Sequence, residues 1–247
     1  EQIYEFLFYA GDTRKNMWSA KARKLSAIKG LYKYFTVKRN YFEENPAINI
    51  ESPKPKKTLP KFLTLDESLM LLQAILDDPE SNTKERDYCI LTILLNCGLR
   101  RAEIAGLNRT DVRDDNTLRV IGKGNKERIL YLNEACQKAL AAYLPKRPLE
   151  GTKDKRALFY GHTKDRISLQ GVHYIVKGYL KQVGGAEEFS AHKLRHTAAT
   201  LMYQQGGVDV RVLQEILGHV SLSTTEIYTH LDDSHLRQTM EEHMRLE

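Results

Sequence analysis

Two arginines, a lysine, two histidines and a tyrosine are spaced along this chain in a way that suits work on a phosphodiester. Arg100 stands in Gly98-Leu-Arg100-Arg-Ala-Glu103 and Lys123 in Gly122-Lys123-Gly-Asn-Lys126-Glu-Arg128. His192 and Arg195 share Ala191-His192-Lys-Leu-Arg195-His196, and Leu217-Gly218-His219 precedes Ser223-Thr-Thr-Glu226-Ile-Tyr228-Thr-His230. A phenol with a pKa near 10 is a poor nucleophile at neutral pH unless other groups stabilise the transition state. Its attack on a phosphodiester builds charge on nonbridging oxygens, which fixed cations and hydrogen-bond donors can hold. Arginines far apart in sequence suit that task, because each guanidinium can clasp a phosphate through two parallel hydrogen bonds. A lysine between glycines lies on a loop able to bend sharply, so its ammonium can reach a leaving 5′-oxygen. An imidazole can donate to a nonbridging oxygen or accept a phenolic proton.

The neighbours of these residues read less sharply. Lys126 and Arg128 are expected as phosphate contacts or solvated side chains. Glu103, three residues after Arg100, reads as a brace for a cation or as a solvated helix glutamate. His192 and His196 are spaced i and i+4, as a metal pair would be, but Arg195 lies between them and no Glu follows His192. No metal or cofactor is expected, and His196 is expected to pack.

The elements that must position these groups are mostly helical. From Thr13 to about Tyr41, Trp18, Ala22, Leu25, Ile28, Leu31 and Phe35 recur every three or four residues with lysines between them, which predicts an amphipathic helix with a basic outer face. Residues 51–62 hold two X-Pro steps and three lysines and read as a linker. Thr64-Leu-Asp-Glu67 predicts a capping box, and a helix over about Thr83 to Cys97 should stop at Gly98. Leu118–Ile121 and Arg128–Leu132 have strand composition, with Gly122–Asn125 as the hairpin loop between them. Helices are predicted at about 133–143, 169–183, 190–205, 208–217 and 222–229, with a short strand near 158–160. His192 and Arg195 then project from one helix face. The fold class is mainly α with a small antiparallel β-sheet: a small basic helical domain, then a larger helical one.

Composition places partners. The 247 residues carry a net charge of +6, and all of that excess lies early: residues 1–57 hold 12 Lys/Arg and 6 Asp/Glu, and the remainder is balanced. Such asymmetry suits a polyanion, with Lys21, Lys24, Lys54, Lys56 and Lys57 as candidate contacts. The longest apolar stretch, Cys89 to Leu95, is too short to span a bilayer, so no membrane partner and a cytoplasmic location are expected. Three cysteines without metal-ligand spacing read as reduced core residues.

The four motifs, in this order and with the tyrosine last, resemble the tyrosine recombinase (phage integrase) family, most closely its bacterial Xer branch. The resemblance implies a helical core-binding domain (1–50, lacking its first helix or more), a linker (51–62), a catalytic domain (63–231) and a tail helix (232–247). It implies a catalytic set of Arg100, Lys123, His192, Arg195, His219 and Tyr228, with Tyr228 the nucleophile. Lys123 would be the general acid, His192 the proton acceptor and His219 a donor to the phosphate. The implied reaction is site-specific cleavage and rejoining of double-stranded DNA through a 3′-phosphotyrosyl link, without ATP or a divalent metal. Four protomers would assemble on two sites, with or without a related recombinase or accessory protein. Leu236, Met240 and Met244 form a narrow apolar stripe that would dock on a neighbouring protomer or on its own domain. A type IB-like topoisomerase and a catalytically silent DNA-binding homologue are the alternatives.

Overall fold

A computed structural model describes residues 1–52, 61–122, 124–148, 150–183, 188–205 and 207–218. Lys54, Lys56, Lys57, Lys123, His219 and Tyr228, the 222–229 helix and the 232–247 tail lie outside the described residues. The chain divides into two compact units, Glu1–Leu59 and Pro60–Glu247.

In the first unit, helix α1 (Gln2–Asp12) packs on α2 (Trp18–Lys33), which passes into one turn of π-helix at Tyr34–Lys38. The single helix expected over Thr13–Tyr41 is therefore corrected. It begins later, because Lys15 takes φ 51° and Met17 is extended, and a separate helix precedes it. Leu25, Ala47 and Ile50 form a small core, with Ile3, Leu7, Ile28 and Tyr32 packed around it. The segment after the helix is held back onto α2: Asn45 donates to the Lys29 carbonyl (3.2 Å), and Lys29 Nζ donates to that of Ile48 (3.2 Å). Lys24 sits 5.7 Å from the Phe6 ring centroid, and the Lys21 side chain lies against Gly11, so both expected DNA contacts lean on α1. Leu31, placed in the apolar stripe, is instead exposed.

In the second unit, α3 (Leu65–Leu76) opens with the expected box: Thr64 Oγ1 accepts from the Glu67 amide and Glu67 Oε2 accepts from the Thr64 amide. Such a cap contributes about 1 kcal/mol. Helix α4 (Lys84–Cys97) is the centre of the core. Every residue from Cys89 to Leu95 is buried, and α3, α6 (Glu134–Tyr143), α7 (Leu169–Leu180) and α8 (Ala191–Gln204) surround it. This explains why that apolar run shows no amphipathic period, since a helix buried on all sides needs no polar face. Gly98 stops it in the left-handed region (φ 60°), and α5 (Arg101–Gly106) follows at once. Strands β1 (Thr117–Ile121) and β2 (Glu127–Tyr131) pair antiparallel, Val120 opposite Arg128 and Ile121 opposite Glu127. Helix α9 (Val210–Leu217) ends at Gly218, also left-handed (φ 62°).

The short strand expected near 158–160 is corrected to two isolated bridges, Asn108 with Ala157 and Tyr160 with Arg166. Leu158, Phe159 and Tyr160 are buried, but their backbone bonds go to single scattered partners rather than along one strand: the Leu158 amide donates to the Leu107 carbonyl, the Phe159 carbonyl accepts from Ile167, and the Tyr160 carbonyl accepts from Arg86. Cys89, Cys97 and Cys136 are free and buried, and burial pushes the Cys89 thiol up. Among the described residues no helix is long and apolar enough to cross a membrane.

Candidate active site

Three chain segments far apart in sequence meet at the C-terminal end of α9. Arg195, on α8 and buried, donates from Nη1 to the Gly98 carbonyl (2.5 Å) and from Nη2 to that of Leu217 (2.5 Å). Arg100, just after the left-handed stop of α4, donates to the Leu217 carbonyl (3.5 Å) and to the Gly218 carbonyl (3.4 Å). The two guanidiniums thus share one carbonyl oxygen, at a helix terminus whose aligned peptide dipoles favour cations. Close packing makes this possible: a Cβ on Gly98 would lie 2.7 Å from Leu217 Cδ2. Arg195 is 3% exposed, whereas the Arg100 side chain is 38% exposed and presents its outer edge to solvent.

Glu103 braces this arrangement from below. Its carboxylate is buried, accepts from the Arg100 amide (2.8 Å) and from Arg100 Nη1 (2.9 Å), and takes a two-pronged contact from Arg128 (3.0 and 2.9 Å). Burial alone would push this carboxyl up. Hydrogen bonds and charge from Arg128 and Arg100 overcome that and hold it below the usual glutamate value. Of the two readings of Glu103, the brace is the one observed.

Arg128 is a correction. It was expected as a phosphate contact or a solvated side chain, yet its guanidinium is turned inward onto Glu103, and its Nε donates to the Ile216 carbonyl (2.9 Å). The sequence offered a signal in Gly218, where a Cβ would come within 3.2 Å of that guanidinium. Lys126 is exposed.

His192 and Arg195 share α8, three residues apart, and His192 is exposed while Arg195 is buried. His196 is half-buried on the same helix, and burial, with His192 nearby, holds its pKa below the ordinary histidine value. Among the described residues no three His, Cys, Asp or Glu side chains gather as a metal site would require.

Residues 61–235 match the phage integrase family. The chain belongs to that family. It is 49% identical over 239 residues to the tyrosine recombinase XerC of Caldanaerobacter subterraneus subsp. tengcongensis, covering 96% of this chain and 66% of that one. The chain therefore spans about two thirds of this relative's length. It is 36% identical to the XerC of Vibrio cholerae over 225 residues, 91% of this chain and 71% of that protein. Among solved structures, the XerH site-specific recombinase bound to palindromic difH substrate, in a post-cleavage complex, superposes with a TM-score of 0.81 at 27% identity. That match covers 98% of this chain and 72% of the XerH chain. The Tn1549 transposon integrase shares the fold at 19% identity and a TM-score of 0.76. In this phage integrase family member Arg100 and Arg195 meet at one carbonyl at the end of α9, one residue before the Gly218-His219 step, and Glu103 braces Arg100.

Proposed function

We propose that this chain is a XerC-type site-specific DNA recombinase that cleaves and rejoins strands through a phosphotyrosyl intermediate. The observation that carries the reading is the convergence of Arg100 and Arg195 on the Leu217 carbonyl, two residues before His219. In this reading the two guanidiniums stabilise the charge that builds on the nonbridging oxygens of the scissile phosphate. The Tyr228 oxygen attacks phosphorus and the bond to the 5′-oxygen breaks. The proton of Lys123 passes to that oxygen, and His192 takes the phenolic proton. His219 donates to a nonbridging oxygen. The 3′-phosphotyrosyl bond conserves the energy of the phosphodiester, so the 5′-hydroxyl of a second strand displaces Tyr228 without ATP.

The partner is a double-stranded recombination site, bound by the basic segment up to residue 57 together with the catalytic domain. Residues 1–50, 51–62, 63–231 and 232–247 serve as core-binding domain, linker, catalytic domain and docking tail. Four protomers act on two sites in the cytoplasm, and the tail links neighbouring protomers. The relatives named XerC and the DNA-bound XerH support this reading. Two assays on one preparation test it: exchange of strands between two labelled sites, and relaxation of a supercoiled plasmid lacking a site. Exchange without relaxation is expected. Relaxation without exchange would replace the reading with a type IB-like topoisomerase, and binding without either would make the chain a silent homologue.

A further inference from the structure

Strand β2 turns two side chains inward, Arg128 and Leu130, while Glu127, Ile129 and Tyr131 point to solvent. Leu130 enters the core, as does Val120 opposite Arg128 on β1, and Arg128 adds the polar anchor at the end of the hairpin nearer the loop. That guanidinium reaches two other elements: α5 through both oxygens of Glu103, and α9 through the Ile216 carbonyl. It also lies near two glycines. A Cβ added at Gly122 would lie 3.6 Å from Arg128 Nη1, and one added at Gly218 would lie 3.2 Å from the same atom. Gly122 directly precedes Lys123, and Gly218 directly precedes His219.

We propose that Arg128 is a positioning residue that ties the Lys123 hairpin to Glu103 and hence to Arg100, fixing where the general acid can reach. The inference rests on the recombinase reading above. A salt bridge that merely filled space would be equally served at many points of the hairpin. This one joins the strand leading from Lys123, the carboxylate that braces Arg100 and the helix end that leads to His219. Without it, the loop end of the hairpin keeps Val120 in the core but loses its ties to α5 and α9, and a displacement of about 1 Å at a reacting group costs on the order of 100-fold in rate.

The test compares covalent attachment to nicked DNA carrying the natural 5′-oxygen or a 5′-sulfur at the cleaved bond. A thiol has a pKa near about 8.5, so a thiolate leaves without the proton that an alkoxide needs. Arg128→Met and Lys123→Ala should each fall about 100-fold on the oxygen substrate and return to within roughly 5-fold of the unaltered chain on the sulfur substrate. Arg100→Ala should stay depressed on both. Arg128→Lys keeps the charge and loses the fork, and should fall between. If Arg128→Met cleaves the oxygen substrate as fast as the unaltered chain, the proposal fails. It fails too if sulfur restores Lys123→Ala but not Arg128→Met, because the guanidinium would then serve Arg100 or the fold alone. Amide exchange in DNA-free protein is the second readout: Gly124 and Lys126 should exchange faster in Arg128→Lys while α4 is unchanged, and equal rates would overturn the tether. An unaltered chain that attaches to neither substrate would refute the recombinase reading itself, and the inference with it.

Discussion

Replacing Glu103 by Gln removes one negative charge and one acceptor from beneath two arginines. The carboxylate is 3% exposed and Arg128 13%, so this side of the contact is an internal ion pair; Arg100, at 38%, is partly screened by water. Breaking a buried pair by removing one partner costs about 3–5 kcal/mol, and the exposure of Arg100 favours the lower end. For a domain of this size each kcal/mol lowers Tm by roughly 2–4 °C, so about 3 kcal/mol corresponds to a drop of about 6–12 °C at pH 7. Thermal and urea unfolding of the two proteins measure it. The pH dependence has a definite sign. Because the folded carboxyl titrates below its ordinary value of 4.5, its contribution is fully present above that pH and lost as pH falls through the folded value. The gap between the two proteins should be flat above about pH 5 and close on further acidification, where the native glutamate becomes neutral like the glutamine. A difference under about 1 kcal/mol at pH 7, or a gap that ignores pH, would refute the buried bridge.

Three further outcomes follow from the same geometry. Gly98→Ala forces a Cβ into the left-handed region and to 2.7 Å from Leu217 Cδ2, so urea unfolding should show a loss of about 1–3 kcal/mol and attachment to DNA should fall with it. Binding to a single site should weaken by about 10³-fold or more between 50 and 200 mM salt if at least six cations meet phosphates, and a shallow response would remove the basic segment from the interface. Deleting residues 232–247 should leave single-site binding intact and reduce assembly and cleavage on paired sites, whereas unchanged assembly would show that the tail does not link protomers.

Local signals were legible where one short stretch decides the structure. Thr64 and Glu67 cap α3 from side chains three residues apart, and Gly98 ends α4 because it needs no Cβ in the left-handed region. The hairpin strands were likewise visible as two runs of strand composition around a glycine loop. Helix α1 was missed because Phe6, Leu7, Phe8 and Tyr9 follow one another without a polar interval, leaving no period to read. The arginines of the site were legible from their motifs, but the role of Arg128 was not. Its partners, Glu103 and the Ile216 carbonyl, lie 25 and 88 residues away, and strand composition alone does not say which way an arginine turns. Glu103 could be placed beside Arg100 from its spacing, yet its second cation comes only from tertiary packing.

The central claim is that Tyr228 carries the DNA, and mass spectrometry of the attached peptide tests it most directly. After incubation with a nicked site and digestion with trypsin, the DNA-linked fragment should be the peptide running from Val212 to Arg237, in which Tyr228 is the sole tyrosine. That fragment is expected for the unaltered chain, and no attachment for Tyr228→Phe with binding to the site retained. Attachment surviving in Tyr228→Phe, or a DNA-linked peptide from any other part of the chain, would contradict it.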